Sequence, residues 1–162
     1  MPRHANRGRP VAVLAVAVVI ALGGLGGCGG SERDRFVAKA NHFCAQARTS
    51  FAAMQAPPAS SGISYGITYY SEFDRLITVL DTLSLPANDA ADIRSRWLRP
   101  ARAALTDFRP QLDVLRAASD RGDQRSVDVR LARLRSLGTV GVDGDYVASL
   151  GATACTPIFG RD

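Results

Sequence analysis

The feature that most restricts the fold of this chain is the recurrence of apolar residues at steps of three and four after residue 31. A first segment, from about Ser31 to Gln55, carries such a stripe at Phe36, Ala40, Phe43, Ala47, Phe51 and Met54. This spacing places the apolar side chains on one face of an α-helix. No stretch alternates apolar and polar residues for long enough to form a sheet. The pattern therefore predicts an all-α domain.

A second amphipathic segment follows a turn-forming linker, APPASSG, at residues 56–62. Its apolar positions are Tyr69, Tyr70, Phe73, Leu76, Ile77, Leu80 and Leu83. We expect this helix to end at Leu85-Pro86, because the residue before a proline avoids the α region.

In the third segment the apolar register runs from Ile93 to Leu115 and continues through two prolines, Pro100 and Pro110. Asn88 or Asp89 can cap its start. Each proline removes a backbone donor and clashes with the preceding turn. Because the register survives both, we expect one kinked helix rather than three short ones.

Gly122 then breaks the chain, and Asp123 can cap a fourth helix. The stripe of that helix consists of Val127, Leu131, Leu134 and Leu137. A short fifth segment at 143–150 is closed by Gly151. We therefore predict an up-down bundle of four main helices, the third kinked by proline, plus a short C-terminal helix. The domain would span residues 35–158, with a tail at 159–162.

The first 27 residues have the order of a secretory signal. Residues 1–9 carry three arginines and no acid, and a run of 12 apolar residues follows from Val11 to Leu22. Small residues then lead to Cys28. The alternative is a transmembrane helix, for which residues 11–27 are at the lower length limit and rich in helix-weakening glycine. We favour a signal peptide over residues 1–27.

The segment Leu25-Gly26-Gly27-Cys28 resembles the lipobox of bacterial lipoproteins, with an aliphatic residue, two small residues and a cysteine. The resemblance implies that the Cys28 thiol receives a diacylglycerol and that the chain is cut before this cysteine. Acyl chains contribute ~0.8 kcal/mol per buried CH₂, so such an anchor is effectively permanent. We expect lipidation at Cys28, a tether over residues 28–34, and a location on the outer face of the cytoplasmic membrane.

The two other cysteines, Cys44 and Cys155, form an even pair in a chain predicted to be exported. Exported chains meet oxidising conditions, so a disulfide is expected. The bond would close a loop of about 110 residues and stabilise the domain by roughly 4 to 5 kcal/mol in the chain-entropy account. No C-x-x-C motif suggests redox chemistry, and His42 is the one histidine left after the leader, so we expect no zinc site and no cofactor.

The chain after the leader also resembles a group of small helical extracytoplasmic proteins from high-GC Gram-positive bacteria. Four motifs carry this resemblance: ANHFCAQA at 40–47, LDTLSLP at 80–86, AASDRGD at 117–123 and LGATAC at 150–155. Their order and spacing extend over nearly all of residues 31–157. The resemblance implies a helical bundle paired by its cysteines, and it implies no activity.

No residue pattern supports an enzyme. The S-x-x-K motif is absent, and so are the Walker and dinucleotide glycine patterns after the leader. Residues 62–66, GISYG, have the letters of G-x-S-x-G, but no strand pattern precedes them, as that motif requires. Arg121-Gly122-Asp123 spells the cell-attachment tripeptide, but a helix-ending glycine followed by a capping aspartate explains the same residues. We expect a non-enzymatic binding or accessory module of the cell envelope; the alternative is an envelope hydrolase whose site is not visible in the sequence.

A run of arginines without an acid lies between Asp92 and Asp107: Arg94, Arg96, Arg99 and Arg102. One interpretation is a solvated helix face. The other is a patch for anionic headgroups or envelope phosphate polymers, at about 1 kcal/mol per arginine near a charged surface. Without the leader, 17 basic residues face 15 acidic ones, so charge does not favour a nucleic-acid partner. The expected partners are the membrane, through Cys28, and an anionic envelope polymer or another envelope protein.

Overall fold

The computed structural model describes residues 30–54 and 57–160, and all regular structure within them is helical. The helices are α1 (Glu32–Ala53), α2 (Gly62–Thr82), α3 (Ala90–Asp92), α4 (Arg99–Phe108), α5 (Gln111–Asp120), α6 (Gln124–Arg135), α7 (Gly144–Ser149) and α8 (Thr156–Phe159). A π-helical segment, Ile93–Leu98, joins α3 to α4, and 3₁₀ turns cover Ala59–Ser61 and Leu137–Thr139. The all-α prediction is confirmed. The predicted signal peptide and Cys28 lie outside the described residues.

Helix α1 begins inside the segment that the sequence assigned to the tether. Ser31 and Asp34 form a capping box: the Ser31 hydroxyl accepts from the Asp34 N–H at 3.1 Å, and the Asp34 carboxylate accepts from the Ser31 N–H at 3.0 Å. These bonds satisfy two backbone donors that a helix start otherwise leaves unpaired. The buried face of α1 consists of Phe36, Ala40, Cys44 and Ala47.

Helix α2 packs against α1, α4, α5 and α6. Two of its glycines permit this close packing. A Cβ atom on Gly66 would collide with Leu115 of α5, and one on Gly62 would collide with Val127 of α6. The sequence prediction for this segment began only at Tyr69, so it missed the first two turns of the helix, where glycine rather than a large apolar residue faces the core.

The third predicted segment behaves differently at its two prolines. The helix is continuous from Ala90 through Pro100 to Phe108, as expected. At Pro110 it is interrupted, and α5 starts at Gln111. The prediction of a single helix across Pro110 is therefore wrong. The apolar register continues across the break because Leu115 of α5 still packs against α2.

The second half of the domain is defined by glycine and aspartate at helix ends. Gly122 adopts a left-handed conformation with φ of 67°, and the Asp123 side chain accepts from the Ser126 N–H at 3.1 Å, as predicted for a cap.

The core extends past the predicted limit at residue 158. Phe159 of α8 is fully buried and contacts the rings of Phe73 and Trp97.

Candidate functional site

The cysteine pair joins the middle of α1 to the end of the described chain. Cys44 and Cys155 are linked by a disulfide with a Cα–Cα distance of 5.0 Å, across 111 positions of sequence. Both residues are fully buried. The predicted pairing is confirmed, and Cys44 lies within the buried stripe of α1 rather than beside it.

Asn41, one turn before Cys44, binds the same C-terminal loop through its side chain. Its amide nitrogen donates to the Gly151 carbonyl at 3.1 Å, and its amide oxygen accepts from the Ala154 N–H at 2.8 Å. The segments ANHFCAQA and LGATAC are therefore neighbours in space, joined by a disulfide and two hydrogen bonds. No role was predicted for Asn41, because only the folded chain brings the loop to it.

Arg96, the second arginine of the predicted patch, contacts Asp143 and Tyr146 of the same chain. Its guanidinium donates to the Asp143 carboxylate through Nε at 3.0 Å and through a terminal nitrogen, and it lies 4.3 Å from the centre of the Tyr146 ring. The Asp143 hydrogen bond raises the pKa of Arg96 above its ordinary value. The same carboxylate caps α7 by accepting from the Tyr146 N–H at 2.9 Å.

Pro100 creates a backbone acceptor for this contact. A proline has no N–H to donate to the carbonyl four residues earlier, which here belongs to Arg96. That carbonyl accepts from the Asp143 N–H at 2.9 Å instead. The proline that interrupts helical hydrogen bonding thus allows the segment before α7 to attach to this helix.

Two of the four arginines of the predicted patch form ion pairs within the chain. Arg102 is paired with Asp74 and Asp81 of α2, while Arg96 reaches Asp143 near α7. Arg94 and Arg99 are exposed, and within residues 30–54 and 57–160 neither forms an ion pair. The cationic charge available to a ligand here is therefore smaller than the sequence indicates.

We expect Asp143→Ala to lower the free energy of unfolding by about 1 kcal/mol, the usual loss on removing an N-cap side chain. The ion pair with Arg96 should add little, because both side chains are substantially exposed to water. Asp143→Asn keeps a capping oxygen and should stay close to the parent protein. Urea denaturation followed by circular dichroism measures both, with the exposed Arg99→Gln as a control. Equal stability of the Ala variant and the parent would contradict this assignment.

A groove of about 550 Å³ opens between the C-terminal half of α1, helix α2 and the segment around α8. We call it the aromatic groove. Residues that define it are Arg48, Phe51, Tyr69, Phe73, Arg135 and Ile158. Its wall is closed by the approach of α8 to the 3₁₀ turn at Leu137–Thr139, where a Cβ atom on Gly138 would collide with the Ile158 carbonyl. Phe51, Tyr69 and Phe73 were predicted only as members of core-facing stripes.

Two rings that line the aromatic groove, Phe51 and Tyr69, are stacked, and Tyr65 extends the stack beyond the lining residues. Phe51 lies parallel to Tyr69 with ring centres 4.5 Å apart, and Tyr65 follows at 6.2 Å. Arg135 covers the end of the stack: its guanidinium carbon is 5.3 Å from the Tyr65 ring centre, and Nε donates to the Tyr65 hydroxyl at 3.2 Å. Burial raises the pKa of Tyr69 to about 12, with Tyr65 adding to the effect and Arg135 opposing it. Tyr69 is therefore a neutral phenol at physiological pH.

The described residues contain no group of three or more His, Cys, Asp or Glu side chains able to hold a metal ion. His42 is exposed on α1, with its Nε2 atom 3.1 Å from the Gln46 amide nitrogen.

Within residues 30–54 and 57–160 no helix is long and apolar enough to cross a membrane.

The fold and the cysteine pair define the chain as an all-helical domain whose terminal segments are tied by a disulfide. Comparison with protein-family models, curated proteins and solved structures finds no match.

Proposed function

We propose that the chain is a lipoprotein of the cell envelope, anchored through Cys28 on the outer face of the cytoplasmic membrane, and that it acts as a non-enzymatic binding or accessory module. The lipobox-like segment at residues 25–28 supports the anchor. The observation that carries the proposal is the capping box at Ser31, because it starts the folded domain three residues after the cysteine.

The short tether would hold one end of the domain close to the lipid surface. Three extended residues span roughly 10 Å at most. Two contacts bring other parts of the chain to this end of α1. The Glu32 carboxylate accepts from the Ala87 N–H at 3.1 Å, and Arg33 donates to the Ser149 carbonyl at 3.0 Å. The loop after α2 and the end of α7 would therefore lie next to the membrane together with Ser31.

For the arrangement of the helices we propose an up-down bundle around α2. Its third member would be the continuous helix from Ala90 to Phe108, with α5 extending it past Pro110. The packing of α2 against α1, α4, α5 and α6 supports this arrangement, as do the short connections on both sides of α5. Three helical members packed around α2 would give a rigid body suited to presenting a binding surface.

Replacing Cys28 by alanine should release the protein from the membrane or leave it unprocessed, because no thiol remains to carry the lipid. Membrane fractionation measures the location, and mass spectrometry of the N-terminal peptide measures the added lipid. Gly29→Ala is the matched control, since it changes the next residue and leaves the lipobox intact. A membrane-bound parent protein that keeps residues 1–27 and carries no lipid would show that the leader is a permanent span instead.

A further inference from the structure

We propose that the aromatic groove binds a small soluble organic anion, in which one carboxylate or phosphate is attached to a compact apolar body such as a single aromatic ring. This inference names a ligand class for the binding role proposed above. It rests on that proposal only for the choice of a soluble ligand over a membrane lipid.

The apolar half of the ligand is specified by the two stacked rings that line the groove. Phe51 is half-buried, so part of its ring is available for contact, and its parallel partner Tyr69 holds it in place. A further ring or a short alkyl chain can continue an offset stack of this kind. The volume of about 550 Å³ falls in the range of small-molecule sites, roughly 300 to 1,000 Å³.

The charge of the ligand is specified by the hydrogen-bonding groups around the groove. The Thr49 hydroxyl already donates to the Ala45 carbonyl at 3.1 Å. The side-chain donors that remain are the guanidiniums of Arg48 and Arg135 and the neutral phenol of Tyr69. No Asp or Glu is among the described residues that line the groove. A surface with several donors, two positive charges and no carboxylate favours an anionic acceptor.

Arg135 is held in position before any ligand arrives. Its Nε–H donates to the Tyr65 hydroxyl and its guanidinium carbon lies 5.3 Å from the Tyr65 ring centre. Its terminal nitrogens form no ion pair with the described residues and can meet a carboxylate or phosphate. Arg48 is exposed on α1 and forms no ion pair within the described ranges. Both arginines line the groove, so together they would supply the positive charge that holds an anionic group there.

The position of the groove favours a soluble ligand. Arg48 lies 17 residues beyond Ser31 along α1, which at 1.5 Å per residue is roughly 25 Å. If Cys28 carries the anchor, the groove lies far from the attached end of the domain. A small anion that diffuses through the envelope can reach it there, whereas the headgroup of a bilayer lipid is held at the other end of α1.

The test uses the full chain in nanodiscs of neutral phosphatidylcholine, with binding measured by isothermal titration calorimetry. Phenyl phosphate should bind at least tenfold more tightly than phenol or inorganic phosphate, because only phenyl phosphate uses both the rings and the arginines. Arg48→Gln and Arg135→Gln should each weaken phenyl phosphate binding about tenfold or more, as expected for the loss of a charge-assisted contact. Arg133→Gln is the matched control on α6: it removes the same charge from an exposed residue that does not line the groove.

Ala45→Trp provides a second variant that keeps both arginines and fills the groove from an exposed position on α1. It should abolish binding while leaving the thermal transition unchanged. Inorganic phosphate binding as tightly as phenyl phosphate, or equal losses in Arg133→Gln and Arg135→Gln, would overturn the proposal. Binding seen only with vesicles that contain phosphatidic acid would overturn it as well.

The Cys28→Ala chain separates this inference from the proposed anchor. If the anchor is wrongly assigned but the groove is correctly assigned, fractionation detects no difference between the Cys28→Ala chain and the parent, and both bind phenyl phosphate with the same affinity. If the groove is wrongly assigned, both chains fail to bind while fractionation still reports the anchor.

Discussion

Replacing Cys44 or Cys155 by alanine should lower the free energy of unfolding by about 2 to 5 kcal/mol, a large part of the 5 to 15 kcal/mol typical of a domain. The disulfide closes a loop across 111 positions, so its loss frees most of the unfolded domain from a constraint. It also ties down the last turn of the core. Ala152, Cys155 and Phe159 are all fully buried, and they reach the core from a segment that the bond attaches to α1.

The two single variants and the double variant together identify the bond as the cause. Each single change breaks the same link, so the double variant should cost little more than either one. Urea denaturation gives the free energies, and thiol titration of the native, unreduced parent should detect neither Cys44 nor Cys155. Free thiols at both positions, or additive losses in the double variant, would contradict the assignment. Asn41→Ala is a useful companion: it removes the two hydrogen bonds to residues 151–154 and leaves the disulfide in place.

The helical part of the fold could be predicted because it depends on local information. An apolar stripe at steps of three and four can be recognised within a single helix, because it reports only which face of that helix packs against the core. The stripe of α1 was predicted in this way at Phe36, Ala40 and Ala47. The cap at Asp123 was predicted for the same reason, since its partner, the Ser126 N–H, is three residues away.

The break at Pro110 was missed because periodicity reports which residues face the core and does not report whether the backbone between them is continuous. Helix α8 was missed because it has only four residues, too few to show a period. Its burial is a consequence of the disulfide and of the close approach of Gly138 to Ile158. Both features depend on contacts between distant parts of the chain.

The binding surface was harder to predict than the fold. Arg96 pairs with Asp143 across 47 positions of sequence and Arg102 with Asp81 across 21, so a run without acids along the sequence does not show which arginines are paired in the fold. The aromatic groove combines α1, α2, the end of α6, the 3₁₀ turn at Leu137–Thr139 and α8. No local motif marks such a site. Its one sequence signal is the closely spaced Tyr65 and Tyr69 on α2, and a core stripe explains those residues equally well.

Trp97→Ala should destabilise the domain by about 3 to 5 kcal/mol, the usual cost of removing a fully buried aromatic side chain. Its indole ring meets the Phe36 ring edge-on at 6.2 Å and the Phe159 ring at 5.4 Å. Trp97 therefore joins α1, the π-helical segment and α8 in one contact, and a cavity there would loosen all three. Because the change removes the single tryptophan of the chain, unfolding is followed by circular dichroism in urea.

Trp97→Phe separates packing from hydrogen bonding at the same site. The indole Nε1–H is sealed from solvent and has no hydrogen-bond partner among the described residues, so the parent protein already bears the cost of a buried, unpaired donor. Phenylalanine keeps an aromatic ring between Phe36 and Phe159 and removes that donor. The relief offsets part of the cavity cost, and the Phe variant should lose less than half of what the Ala variant loses. Equal losses in the two variants would mean that the indole nitrogen has a stabilising partner, such as an ordered water, and that ring packing is not the main contribution of Trp97.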